Sequence, residues 1–350
     1  MKKNVLDLSS YLFIVLPIIF LTLISIFILN SIYDQIFPSY LYIIAFSFLV
    51  FFVVSRIDFE IFVLFSTHFY IISILLLIIT LVLGHLTRGV VRWLGVGPAS
   101  FQPSEIVRPF LVLFAAKYFS TQSIKLKAFI KGLLLILIPS FLVFMQPSFG
   151  MSIVLLCGFA GVIFLSNLDK KFVISLPLIA LVAIPVLWLI LAPYQKSRIS
   201  SFLTRDFDKL GANYNSIQSV ISVGSGGLIG RGLGKGVQTQ LSFLPEKQTD
   251  FMFASISEEL GFVGSCFVLL LIFIILWRIL LLMQKSKSVT YRLYVAGVFT
   301  MLLSETLIHV GMNLGILPVT GIPLPYLSAG GSAYLSSSIL IGLCLAVKEG

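Results

Sequence analysis

Charge is what this sequence has least of. Only 11% of its 350 residues are Asp, Glu, Lys or Arg, against 58% hydrophobic residues. A soluble domain carries roughly 25% charged residues. No globular interior hides so much apolar surface, whereas a lipid solvent does not require it to be hidden. Cysteine is scarce as well. Cys157, Cys266 and Cys344 all fall in apolar stretches and read as small hydrophobes, neither a disulfide framework nor metal ligands. His68 and His85 are isolated, and no H-E-x-x-H pattern is present, so no metal motif stands out. There is no low-complexity tract, no soluble domain, and no internal repeat of the kind that marks many transporters.

What is present is a series of apolar runs. Lys2 and Lys3 precede a run from Tyr11 to Leu29 that imitates a signal peptide. It is too long for that and lacks a small-x-small site, so it reads as a first span. A crossing needs about 20 apolar residues, fewer if the helix is short or tilted. Candidate spans are 11–30, 39–55, 59–84, 101–117, 132–146, 151–167, 172–193, 261–282, 294–317 and 327–347. The fifth and sixth are short, and a re-entrant pair around Pro147 and Gly150 is the alternative to two full crossings. The expectation is an all-α integral membrane protein of about ten transmembrane helices, a single polytopic domain over 1–350. One long extracytoplasmic loop, 194–253, lies between spans 7 and 8.

The net charge of +10 is first a matter of topology, not of nucleic acid, because Lys and Arg favour the cytoplasmic side. With both termini cytoplasmic, Arg56, Lys117, Lys125, Lys127, Lys131, Lys170, Lys171, Lys285, Lys287 and Arg292 all fall inside. Two outer segments break the pattern: Gly84–Ser100, with Arg88 and Arg92, and the long loop, with Lys196, Arg198, Arg205, Lys209, Arg231, Lys235 and Lys247. Long loops translocate largely regardless of charge, which leaves these residues free to serve chemistry.

Several features bear on that chemistry. Gly224–Gly236 is glycine-rich and contains Arg231 and Lys235. Backbone N–H groups in such turns cradle phosphate, yet Ile229 stands where a Walker pattern needs glycine, and no G-x-G-x-x-G register closes. A flexible or tightly turned loop packed against the membrane is the favoured reading. Leu244–Phe251 holds Glu246 and Asp250 just ahead of an apolar stretch. Asp250 is equally a helix N-cap or a desolvated carboxylate of raised basicity. Glu105 and Arg108 open the fourth span at i, i+3 and line a polar groove or pair for packing. Glu305, His309 and Asn313 form a polar stripe suited to inter-helix hydrogen bonding. The turn Leu317–Ser332 has three prolines and three glycines in 16 residues. It cannot be regular helix, and must line a cavity or be buried.

Taken together these motifs resemble the SEDS family (shape, elongation, division and sporulation), in order along most of the chain. They are Gly89–Trp93; Phe101–Glu105; Gln146-Pro147 with Gly150; Arg198-Ile199 with Phe202; Gln218-Ser219; Gly224–Gly236 with Gln238; Leu244–Phe251; Glu258–Gly261; and the final turn into Gly330-Gly331-Ser332. The Pro318–Pro325 version of that turn is similar to RodA-like members, and Phe101 before Gln102 to FtsW-like ones. The resemblance implies a ten-span peptidoglycan polymerase of the bacterial cytoplasmic membrane, joining lipid II outside it, with a class B penicillin-binding transpeptidase as partner. It places the family's essential aspartate at Asp250. The chain departs from the family at Ser148, where Asp is usual, at Arg108 for Lys, at His309 for Asn, and at Tyr326 and Ala329 for Phe and Tyr. Any role resting on a carboxylate at 148 is therefore in question.

The expected reaction is an inverting β-1,4 glycosyl transfer with Asp250 as general base. Arg92, Arg198, Arg231 and Lys235 are candidates for the pyrophosphate, Glu246 is a second carboxylate, and Glu105 and Arg108 line or brace the polar end. No cofactor is expected, though a divalent cation could ride on the substrate pyrophosphate. A lipid II flippase and a non-catalytic scaffold of a penicillin-binding protein are the alternatives. The clustering of polar residues in outer loops favours surface catalysis over transport.

Overall fold

The computed structural model describes residues 8–87, 90–96, 99–121, 126–169, 172, 174–175, 185, 188–189, 191, 193–204 and 214–346. The expected seventh span lies largely outside these, as do Arg88, Arg205 and Lys209. The described residues contain 6 helices long and apolar enough to cross a membrane: Leu8–Ile32, Ser39–Arg56, Phe59–Leu83, Leu126–Met145, Met252–Lys285 and Val289–Asn313. Two shorter apolar helices, Phe149–Leu165 and Gly331–Leu345, join them. The expected fifth span is thus a 20-residue helix, long enough to cross.

The packing inverts the soluble pattern. Large apolar side chains such as Phe27, Tyr42, Leu64 and Val82 stand exposed along the helices, where lipid is their solvent. Small polar residues are buried between helices. Ser25, in the first helix, donates to the Leu327 carbonyl at 2.6 Å and lies 2.8 Å from the Tyr40 hydroxyl. Gly158 and Gly297 let Phe149–Leu165 and Val289–Asn313 approach so closely that a Cβ on Gly297 would sit 3.0 Å from the Gly158 carbonyl oxygen. Close backbone contact of this kind replaces the hydrophobic effect as the force holding membrane helices together.

The expected fourth span is broken. Pro103–Ile106 forms one turn, and Arg108–Thr121 forms the helix proper. The cause is Pro109: having no N–H, it leaves the Glu105 carbonyl four residues back without its helical donor. Ser336 takes that carbonyl at 2.7 Å, so the break becomes a tie to the last helix.

Two regions expected to lie outside the membrane are more structured than the sequence implied. The loop after Leu83, covered by the expectation of an all-α chain, holds a three-stranded antiparallel sheet: His85–Thr87, Val90–Val96 and Ala99–Phe101. Its central strand is valine-rich at both ends, and β-branched residues suit a pleated surface. Leu94 pairs with Phe101 and Val96 with Ala99. The long loop 194–253 contains helices Pro193–Thr204, Tyr214–Ser225 and Val237–Gln240.

The glycine-rich run has a specific structural job. Met252–Lys285 kinks at Gly261, where φ is 70° and ψ is −167°. The kink breaks the helical bonds from residues 262 and 263 back to 258 and 259, and the run supplies replacements. Phe262 N–H donates to the Gly227 carbonyl at 2.9 Å, and Val263 N–H to that of Leu228 at 3.1 Å. In return, Arg231 N–H donates to the Glu258 carbonyl at 2.9 Å, and Gly232 N–H to that of Glu259 at 3.0 Å. The loop is spliced into the helix ladder. A Cβ at Gly230 would strike the Glu259 carbonyl, and φ there is 81°, so glycine alone fits without strain. The expected span begins at 261, which is where the buried N-terminal portion of the helix ends.

Candidate active site

The segment Leu244–Phe251 leads into the N-terminal end of the long helix. Glu246 has a φ of 52°, and its carbonyl accepts from Thr249 N–H at 3.1 Å and Phe251 N–H at 3.2 Å. Two bonds fasten this turn to the proline-rich segment: Ser328 Oγ donates to the Thr249 carbonyl at 2.8 Å, and Ala329 N–H to that of Gln248 at 2.8 Å. Asp250 follows, one residue ahead of Phe251, which is the N-cap residue and supplies no side-chain cap.

The cap comes from the polar stripe of the neighbouring helix. Asn313 Oδ1 accepts from Ala254 N–H at 2.9 Å, and His309 Nε2 accepts from Phe253 N–H at 3.4 Å. His309 Nδ1 lies 2.7 Å from the Ile322 carbonyl, so the proton sits on Nδ1 and leaves Nε2 as acceptor. Asn313 Nδ2 completes the arrangement by donating to the Asp250 carbonyl at 3.0 Å. Orphan donors at a helix start usually find a nearby Asp or Ser. Here two side chains from another helix perform that task, and the Asp250 carboxylate is not used as the cap.

That carboxylate is half-buried and faces the proline-rich turn, where a Cβ on Gly321 would lie 3.3 Å from Asp250 Oδ2. Burial raises its pKa above the ordinary value, and the Glu246 carboxylate raises it further. The Arg198 guanidinium, a hydrogen bond from Thr249 and the Arg92 guanidinium oppose the shift. Arg198 is held in place by donating to the Val319 carbonyl at 3.1 Å. Arg92 projects from the central strand, and its Nε is shielded from solvent with no hydrogen-bond partner among the described residues. Both act on Asp250 although 52 or more residues separate them from it in sequence.

The remaining expected site residues stand apart. Arg231 is exposed and bonds through Nε to Ser225, and Lys235 is exposed on the glycine-rich loop. Several N–H groups that might have cradled phosphate are taken: Arg231 and Gly232 by carbonyls, Gly234 by Glu259 Oε1 at 3.1 Å and Ser31 Oγ at 3.0 Å. Glu105 and Arg108 are buried to 2% and 0% exposure. Arg108 Nη2 lies 2.6 Å from Glu105 and Nη1 3.1 Å from Glu305. The groove-lining expectation for this pair is therefore replaced by a brace tying the fourth, ninth and last helices together.

Sequence reasoning had grouped Glu258 and Glu259 only as a motif. Glu258 caps Val237–Gln240, accepting from Gln238 N–H at 2.9 Å and Thr239 N–H at 3.0 Å. Lys247 Nζ donates to the Thr239 carbonyl. Burial lowers its pKa, against the opposing charges of Glu259 and Glu258. Ser148, the departure from the family pattern, is buried two residues before Gly150, whose Cβ would press on Thr320 and Ile322. A carboxylate at 148 would thus stand close to the turn that covers Asp250. Among the described residues no group of three metal-ligating side chains converges.

The relatives of this chain agree with its architecture. Residues 4–350 match the family described as cell cycle protein, which groups FtsW, RodA and SpoVE. The peptidoglycan glycosyltransferase MrdB of Escherichia coli is 37% identical over 285 residues, covering 81% of this chain and 77% of its own. Stage V sporulation protein E of Bacillus subtilis is 36% identical, covering 80% and 77%. A chain from a peptidoglycan synthase complex, studied for the coordination of polymerization and crosslinking, superposes with a TM-score of 0.79 at 29% identity, covering 95% of this chain and 96% of its own. The crystal structure of the rod shape determining protein RodA of Thermus thermophilus superposes with a TM-score of 0.70 at 25% identity, covering 95% and 94%. With its motifs, its helical membrane architecture and these matches in accord, the chain belongs to the FtsW, RodA and SpoVE family, the SEDS proteins.

Proposed function

We infer that this multi-pass membrane protein is a peptidoglycan glycosyltransferase that polymerises lipid II, as relatives 33–37% identical to it are named for that activity. We further propose the roles of its residues. The 4-hydroxyl of one lipid-linked disaccharide attacks the anomeric carbon of another. The new C–O bond forms with inversion as the bond to pyrophosphate breaks, giving a β-1,4 linkage. Asp250 receives the hydroxyl proton, a contribution of roughly 10²–10⁴-fold in rate. The polyprenyl pyrophosphate leaves as an anion toward Arg92 and Arg198.

The observation that carries this reading is the release of Asp250 from capping duty. His309 and Asn313 hold the helix start, so the one carboxylate in that position is left for chemistry, with burial raising its basicity. Arg92 supports the anion site because its charge acts on Asp250 and its shielded Nε has no hydrogen-bond partner among the described residues, so a negatively charged ligand would satisfy it. Arg231 and Lys235 are assigned to the approach of substrate, Glu246 to tuning Asp250. A divalent cation, where one is needed, would arrive on the pyrophosphate.

The proposed setting is the bacterial cytoplasmic membrane, with both termini inside and Asp250 outside. The proposed partner is a class B penicillin-binding transpeptidase, a reading supported by the related chain from a synthase complex that couples polymerization to crosslinking. The test is incubation of the purified protein with lipid II, alone and with that transpeptidase. Glycan polymer from the wild type and none from Asp250→Asn is the expected result. Absence of polymer in both, with the partner present, would shift the reading to transport or scaffolding.

A further inference from the structure

We propose that an anionic phospholipid headgroup binds beside Arg278, at the end of the molecule remote from Asp250. From the kink at Gly261 to Lys285 the long helix runs about 36 Å at ~1.5 Å per residue, enough to cross the hydrocarbon. Arg278 precedes Lys285 by two turns on the same face, about 10 Å deeper. Beside it is a cavity of about 160 Å³ lined by Arg278, Leu281, Leu282, Gln284 and Lys285.

The state of Arg278 is unlike that of the other intramembrane arginine. Arg108 is held by two carboxylates. Among the described residues no hydrogen bond or ion pair engages Arg278, whose guanidinium carbon lies 3.8 Å from the centroid of the Phe13 ring. A charge at that depth is costly unless an anion or water meets it. The cavity is partly open, and Trp277, adjacent in sequence, and Phe13 are 53% and 49% exposed to what is lipid at this level. The chemistry it fits is a phosphate diester: a guanidinium fork for two oxygens, a Gln284 amide and a Lys285 ammonium nearby, and leucines for the start of the acyl chains. The connection from Lys285 to Arg292 adds Lys287 and no acidic residue, which favours lipids of net negative charge.

The test is native mass spectrometry of the full chain released from detergent with added phosphatidylglycerol, phosphatidylcholine or a polyprenyl phosphate. One phosphatidylglycerol retained, with phosphatidylcholine lost, is the expected pattern. Arg278→Met should weaken retention at least about tenfold, in line with loss of a charge-assisted bond, and Arg292→Ala should leave it unchanged. Equal retention in Arg278→Met, or equal loss in Arg292→Ala, would overturn the site. Polyprenyl phosphate displacing phosphatidylglycerol at lower concentration would overturn the choice of ligand. To keep the test independent of the folding of Arg278→Met, photoactivatable phosphatidylglycerol is also applied to the wild type. Adducts at Phe13 or Leu281 support the site, and adducts confined elsewhere overturn it.

Discussion

At Glu105, Arg108 and Glu305 the carboxylates and the guanidinium touch, and all three side chains are sealed from solvent. Around Asp250 the same chemical groups are arranged differently. The carboxylate is half-buried, and Arg198 and Arg92 act on it through their charge, whereas Arg108 is in direct contact with its carboxylates. A buried charge whose partners are in place is committed to holding helices together. A partly buried charge whose surroundings are incomplete is open to a ligand. The comparison also explains why two neighbouring helix residues, His309 and Asn313, matter to a site they do not form: they take over the capping that would otherwise occupy Asp250.

The contrast can be broken from either end. Asp250→Asn should cost the most activity, roughly 10²–10⁴-fold in lipid II polymerisation, with thermal unfolding in detergent unchanged. Substantial polymer from the variant would remove Asp250 as the base. Arg108→Met should do the reverse, lowering stability by about 3–5 kcal/mol through the two carboxylates it strands. Pairing it with Glu105→Gln and Glu305→Gln should restore much of the loss in the same melting experiment. If Arg108→Met melts like the wild type, the brace is not structural.

Smaller effects sharpen the boundary between the two regions. Asn313→Ala removes a cap worth about 0.5–2 kcal/mol, and polymerisation should fall by more than stability because the Asp250 backbone loses its anchor. A proportional loss of both would make Asn313 a packing residue. The smallest effects are in pH dependence. Asp250 acts as a base only when ionised, and burial raises its pKa, so activity should fall as pH drops through that raised value. Glu246→Gln removes a charge that raises the pKa and should move the acid limb to lower pH. Arg198→Met removes one that lowers it and should move the limb to higher pH. A rate profile unmoved by either would dissociate them from Asp250.

The crossing helices were legible because their signal is local. Apolar runs such as Leu8–Ile32 announce themselves by length, and even the start of the span at Gly261 was visible as the end of a charged stretch. Asp250 was legible as a carboxylate ahead of a helix, but whether it capped that helix was not, because the answer lay in residues 309 and 313. Four basic residues, Arg92, Arg198, Arg231 and Lys235, looked equivalent in sequence. Folding brings the charges of the first two to bear on Asp250, and leaves the others on exposed turns of a loop several of whose backbone donors are already used. The small sheet around Arg92 was missed because short strands carry a weak period beside long apolar helices.

By itself, then, the sequence determined the solvent, the helices and the motifs of this protein, since hydropathy and backbone preference act over neighbouring residues. The tertiary structure decided which charges are closed and which are open. That distinction depends on contacts between helices distant in sequence, such as Glu105 with Ser336 or Asn313 with Asp250. Only packing sets the burial and the partners that turn a carboxylate into a brace or a base.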